Sequence, residues 1–243
     1  MIMDFGTMLR LLPSLITGAG ITLLLTAWIV VFGFLIALPV ALGRDSRHTS
    51  ARWFYRSFVF VFRGAPLLVL LYLVYYGSPQ LTIVRDTRLW TFFRDPWPCA
   101  ILAMSLNSAG YLAEVISGAR RNVPRGEVEA AVAAGFSRWS TFRDVVAPNA
   151  IRLGLRAYGN ELIFVVKGTS VASLVTIIEL MGAAHAAYFE TYDPITPLLL
   201  AAIFYLAIVW SIRRAIVAVE RSLIPELRVA GISHQPARTR VAR

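Results

Sequence analysis

The sequence predicts an all-α membrane protein with five transmembrane helices, its N-terminus outside the cytoplasm and its C-terminus inside. Composition is the first reason. Of 243 residues, 57% are hydrophobic and 16% charged, against about 45–50% and about 25% in a soluble domain. The second is the placement of charge. No Asp, Glu, Lys or Arg occurs in 11–43, 64–84, 96–113 or 194–212. Each gap is as long as the roughly 17–25 residues a helix needs to cross hydrocarbon, or longer. The third is the distribution of the net charge of +10. Eighteen of the twenty-four basic residues fall in three segments: Arg44 to Arg56, Arg120 to Arg156, and everything from Arg213 onward. Segments rich in Lys and Arg stay in the cytoplasm. The positive charge is therefore topology and not a nucleic-acid footprint.

In chain order the expected spans are 15–42; 57–77, or a shorter one from Pro66; 98–118; 157–178; and 197–212. An odd number of spans puts the termini on opposite sides. The loop 78–97 then faces outward, where Arg85, Arg88 and Arg94 against Asp86 and Asp95 mildly violate the charge rule. The loop 179–194 also faces outward and obeys it, carrying Glu179, Glu190 and Asp193. Residues 1–225 form one membrane domain, and 226–243 a polar tail of disorder-prone composition. Trp53, Trp90, Trp97 and Trp210 near span ends are interfacial anchors. The single cysteine, Cys99, forms no internal disulfide and reads as a small buried residue. His48, His185 and His234 have no metal-ligand spacing.

Between the third and fourth spans, at about 121–150, lies a segment of different character. Asn122 is positioned to cap a helix with Pro124 in its first turn. Gly135 ends that helix, because glycine accepts the left-handed conformation of a helix C-terminus. Ser137 caps a second helix, which Pro148 stops. Val128, Val132, Phe136, Trp139, Phe142 and Val146 form an amphipathic stripe. Two readings stand. An arginine-rich amphipathic helix lies on a lipid surface. Alternatively, a helix of alanines flanked by Glu127 and Glu129 docks into a protein groove, since alanine buries little area in lipid.

Polar residues inside the spans are the other candidates, because ionisable groups at membrane depth face a bundle interior or a water-filled path. Glu161 and Lys167 interrupt the fourth span. Glu161 is a candidate to receive a cationic group of a substrate; the alternatives are a pair with Lys167, six residues away and on a different face, or a neighbouring chain's arginine. Arg63 and Gly64, before Ala65-Pro66, mark either a broken helix lining a cavity or a snorkelling arginine ahead of a span. Asn107, Ser108 and Tyr111 on the third span either line a pore or make interhelical hydrogen bonds.

At this point the residues resemble a known family. Glu129-Ala130-Ala131, three residues, Gly135, nine residues, then Val145-x-Ala147-Pro148 resemble the EAA loop of ABC importer permeases. Val145 and Ala147 depart from the Ile and Leu of that pattern. FRGAPLLVLLYLVYYG (62–77), NSAGYLAEVISGARRNVPRGEVEAA (107–131) and YGNELIFVVKGTSVAS (158–173) are similar to polar amino acid uptake permeases of the histidine, arginine/ornithine and opine type. The likeness runs from about residue 11 to 225. It implies a type I ABC importer permease fold with a periplasmic N-terminus, in the bacterial inner membrane. It also implies a second permease chain, a paralogue or an identical copy, two cytoplasmic ATPases that hydrolyse ATP with Mg, and a periplasmic protein that delivers an amino acid or opine. Glu129, Ala130, Ala131, Gly135 and Pro148 would couple to the ATPases. No cofactor is expected in this chain. Its only lysine, Lys167, sits between Val166 and Gly168, so it carries no Gly-Lys-Ser/Thr phosphate loop. The rivals are a secondary transporter or channel, which usually shows inverted repeats not seen here, and an intramembrane enzyme, for which no triad or paired-Asp arrangement appears.

Overall fold

The computed structural model describes residues 5–223, and among them every regular element is helical. The tail 226–243 lies outside the described residues. Helix α1 (Phe5–Gly43) is long enough on its own to cross a membrane, as are α6 (Pro96–Arg121) and α11 (Ile195–Leu223). Two bent pairs supply up to two further crossings. In the first, α2 (Thr49–Gly64) meets α3 (Leu67–Tyr72) and its continuation to Gln80 at 101°. The cause is local. Ala65 precedes a proline and is extended, at φ −77° and ψ 134°, as steric clash with the proline ring requires. Two short helices, α4 (Thr82–Arg85) and α5 (Leu89–Phe93), then occupy the expected 78–97 loop.

Asp95 opens α6, its carboxylate accepting from the Trp97 N–H at 2.9 Å, with Pro96 in the first turn. Then come α7 (Arg125–Ala133), α8 (Arg138–Thr141) and a π-helical turn, Phe142–Val146, which runs into α9 (Ala147–Gly168). Pro148 therefore does not stop a helix. It sits in the first turn of α9, where its missing N–H and its fixed φ are tolerated. Asn122 likewise does not cap α7. It closes α6, and Pro124 precedes the first residue of α7. The helix that holds the expected fourth span, α9, begins at Ala147, ten residues before 157, and Thr169–Val175 after it tightens to a 3₁₀ helix.

The largest correction concerns 179–194. In place of a loop the chain forms α10 (Leu180–Thr191), the second half of a pair bent by 48°. Thr176, at φ 67°, turns the chain into it. A left-handed β-branched residue is uncommon and is held by its surroundings; here Ile177 N donates to Ala172 O at 3.3 Å. Asp193 then caps α11, accepting from Ile195 N at 2.9 Å and from the Thr196 hydroxyl at 2.5 Å. The Thr196 hydrogen bond holds its carboxyl below the usual range.

The core runs along α1 in three layers. Leu11 and Leu15 pack on α10 and α11; Leu25 and Ile29 on α3, α6 and α9; Ala37, Val40 and Ala41 on α2 and α6. Alanine is the commonest residue in these layers, as expected where lipid removes the hydrophobic drive and close van der Waals approach holds helices together.

Candidate coupling loop and intramembrane polar site

The loop is built around Gly135. Alanine carries α7 to Ala133, and Gly135 then adopts φ +83°. The Gly135 N–H reaches Val132 O at 3.0 Å and the Phe136 N–H reaches Ala131 O at 3.1 Å, the paired bonds of a Schellman motif. Among the described residues nothing lies within 4 Å of where a Cβ on Gly135 would stand. Ser137 begins α8, its hydroxyl accepting from Ser140 N at 3.1 Å. Ala131 is buried, whereas Glu129, Ala130 and Gly135 are exposed. The middle of the apolar stripe is also uncovered, with Val132 61% and Trp139 66% accessible, while Val128 and Val146 at its ends are half-buried. Glu127 is anchored by Asn149 of α9, which ties the first arm of the loop to the second.

Behind this loop a set of charged contacts, absent from the sequence reading, clasps five helices, α1, α2, α6, α9 and α11, near their arginine-rich ends. Arg44 donates to Glu114 at 3.0 Å and to the Tyr55 hydroxyl at 3.1 Å, and Tyr55 donates to the other oxygen of Glu114. Asp45 pairs with Arg120, and Arg156 of α9 with Glu220 of α11. The spacing of Arg44 and Glu114 along the chain gave no signal of this contact.

The intramembrane candidates gather at the Pro66 break. Pro66 has no N–H, so the Phe62 carbonyl loses its helical donor. Asn107 supplies one through its side-chain amide at 2.7 Å. One turn on along α6, the Tyr111 hydroxyl donates to Arg63 O at 3.3 Å, and the Arg63 guanidinium sits 5.0 Å above the Tyr111 ring. Gly64 stands in open space. Ser108 faces the other way and donates to Glu161 Oε1 at 3.0 Å. Glu161 is buried, with Arg63 close enough to act on it electrostatically. Lys167 is exposed and makes no ion pair among the described residues.

One buried carboxylate was misplaced by sequence reasoning. Glu179, expected in an outer loop, is wholly buried at the start of α10. It accepts from Met181 N at 3.0 Å, Gly182 N at 2.9 Å, the Thr22 hydroxyl of α1 at 3.2 Å and the Tyr205 hydroxyl of α11 at 2.8 Å. The available signal was indirect: Thr22 and Tyr205 are polar groups inside charge-free spans and need partners there.

With this geometry in place, comparison with known proteins decides the family. Residues 29–225 match the family described as the binding-protein-dependent transport system inner membrane component. The chain belongs to that family. It is the membrane permease subunit of an ABC importer. A nopaline transport system permease protein of Agrobacterium fabrum is 38% identical over 240 residues, covering 98% of this chain and all of the relative. A histidine/lysine/arginine/ornithine transport system permease protein of Salmonella typhimurium is 41% identical over 193 residues, 79% of this chain and 82% of that one. Among solved structures, an amino acid ABC transporter crystallised with histidines superposes with a TM-score of 0.82 at 30% identity, covering 91% of this chain and all of that one. An inward-facing methionine ABC transporter, at 22% identity and a TM-score of 0.71 over 86% of this chain and 96% of its own, shares the fold.

Proposed function

We propose that this chain forms half of the pore of an importer for polar amino acids or their derivatives, basic amino acids or opines in particular. Residues 1–225 cross the inner membrane five times, with the N-terminus periplasmic and the C-terminus cytoplasmic. A second permease chain, a paralogue, completes the pore. Two ATPase subunits hold and hydrolyse ATP with Mg, and a periplasmic binding protein delivers the substrate.

The observation that carries this reading is the exposed arm around Gly135. A short helix presents Glu129 and Ala130, closes on a left-handed glycine with free space around it, and is tied by Glu127 to α9. Movement of an ATPase gripping α7 would pass through α8 and the π turn into α9, which carries Glu161. That carboxylate would receive the cationic group of the substrate near Arg63, Gly64, Asn107, Ser108 and Tyr111. The names of the relatives support the substrate class.

Extraction of the tagged chain from its host should bring along an ATPase and a second permease. Gly135→Trp should insert in the membrane but abolish uptake; normal uptake would sink the docking role. Glu161→Gln retains the acceptor for Ser108 and removes the charge. It should depress uptake of cationic substrates more than neutral ones, and an unchanged preference would make Glu161 structural. A chain active alone in liposomes under an ion gradient would overturn the importer assembly.

A further inference from the structure

We propose that the crevice between α1, α6 and α9 at their arginine-rich ends binds an anionic phospholipid, one acyl chain in the crevice and the phosphate against its arginines. The inference rests on the orientation proposed above, in which this end meets the cytoplasmic leaflet. The crevice encloses about 430 Å³, within the roughly 300–1,000 Å³ of ligand sites. Its walls are almost wholly aliphatic and aromatic, with Leu112 and Ile116 from α6 at the back. At its rim Phe34, Leu38 and Leu42 of α1 and Ile151 of α9 are 43–59% accessible. It therefore opens sideways onto the bilayer.

Charge selects the occupant. Arg120 lines the crevice, and Arg121, Arg143 and Arg152 each follow a lining residue in the chain. Asp45 pairs with Arg120 and Asp144 with Arg143, while Glu127 is held by Asn149. Arg121 and Arg152 make no ion pair among the described residues. Basic pockets between helices on the cytoplasmic side recognise anionic headgroups, each cation adding to the attraction. The apolar cavity supplies what a soluble phosphate lacks: a place for the chain. Phe142 and Val146 of the wall belong to the π turn behind the loop. The lipid would thus buttress the arm through which α7 moves α9.

The test uses the whole transporter in nanodiscs of phosphatidylcholine with phosphatidylglycerol, then mild detergent and native mass spectrometry. Wild type should retain phosphatidylglycerol in preference to phosphatidylcholine. Ala150→Trp, which fills the crevice, should lower retention by roughly tenfold or more, and so should Arg121→Gln with Arg152→Gln, which leaves the walls intact. A photo-crosslinker in place of Ile151 should capture lipid. Equal retention of both lipids, undiminished retention by the variants, or capture of a second copy of the chain at 151 would each overturn the site. Retention is read without transport. A chain that keeps its lipid but recruits no ATPase would refute the importer reading and leave this site standing.

Discussion

Asn107 donates its side-chain amide to the Phe62 carbonyl at 2.7 Å, and Phe62 is the residue whose helical donor Pro66 cannot provide. The bond converts a break in the chain into a fixed elbow of 101°. Tyr111 repeats the arrangement one turn further along α6 at Arg63 O. Two side chains of one helix thus satisfy the frayed end of another, as backbone at membrane depth requires. Arg63 is held near Glu161 because of it.

Removing that donor should loosen the elbow. Asn107→Ala leaves the Phe62 carbonyl unpaired, at about 1–3 kcal/mol. An ionised Asn107→Asp fares no better, since a carboxylate only accepts. Thermal unfolding of the purified complex should show both variants melting below wild type. An Asn107→Asp protein as stable as wild type would mean that the carbonyl finds another donor.

Glu179 fastens three elements at one point, and its partners rank the outcomes. Tyr205→Phe removes one of four donors and should cost about 1 kcal/mol. Glu179→Gln keeps the shape but turns an NH₂ toward groups that donate, and should cost more. Glu179→Ala leaves the Met181 and Gly182 N–H groups and two hydroxyls without an acceptor, so it should cost about 3 kcal/mol or more. The order of melting temperatures checks this; equal effects of all three would mean that α10 is held by packing alone.

These two sites mark what the sequence made readable. Charge-free lengths and arginine placement located α1, α6 and α11, and the left-handed Gly135 and the Ser137 cap follow from local chemistry that any helix end obeys. Glu179 reads as a loop residue because a carboxylate among few charges looks solvated; only the approach of Thr22 and Tyr205, 157 and 26 residues away, makes it buried. In the sequence Pro148 reads as a stop because proline breaks helix interiors, whereas in the structure a π turn ahead of it places it in a first turn. In the sequence Arg63, Asn107, Ser108, Tyr111 and Glu161 stand out only singly, as polar residues in spans. That Pro66 gathers them around one elbow is a tertiary fact with no local trace.

Two glycines at helix crossings should respond differently to a methyl group. A Cβ on Gly18 would stand 3.0 Å from Leu180 Cα and 3.1 Å from Glu179 O, which are backbone atoms that cannot turn aside. A Cβ on Gly159 would meet Ile216 Cδ1 at 2.6 Å, the end of a flexible side chain. Gly18→Ala should therefore cost about 1–3 kcal/mol as overpacking, and Gly159→Ala less. Ile216→Val, which deletes Cδ1, should recover part of the Gly159→Ala loss and none of the Gly18→Ala loss. Melting of the single and double variants decides it, and a rescue of Gly18→Ala would show that the two crossings move together.

At Gly135 the backbone and the empty space make separate demands. The φ of +83° penalises an L-residue by about 1–2 kcal/mol, yet Asn tolerates this region better than β-branched residues do. Nothing among the described residues crowds the position, so their folding asks only for the conformation. A docked ATPase would add a demand for small volume. Gly135→Asn and Gly135→Val should both insert, with Val the less stable. If stability alone governed, uptake would follow that ranking and Asn would stay near wild type. If the position lies against a partner, Asn should lose most of its uptake and ATPase stimulation while its melting temperature stays close to that of the parent. Parallel measurement of melting and stimulated ATP hydrolysis in the assembled complex separates the two demands, and a fully active Gly135→Asn would place the partner's contact elsewhere on the loop.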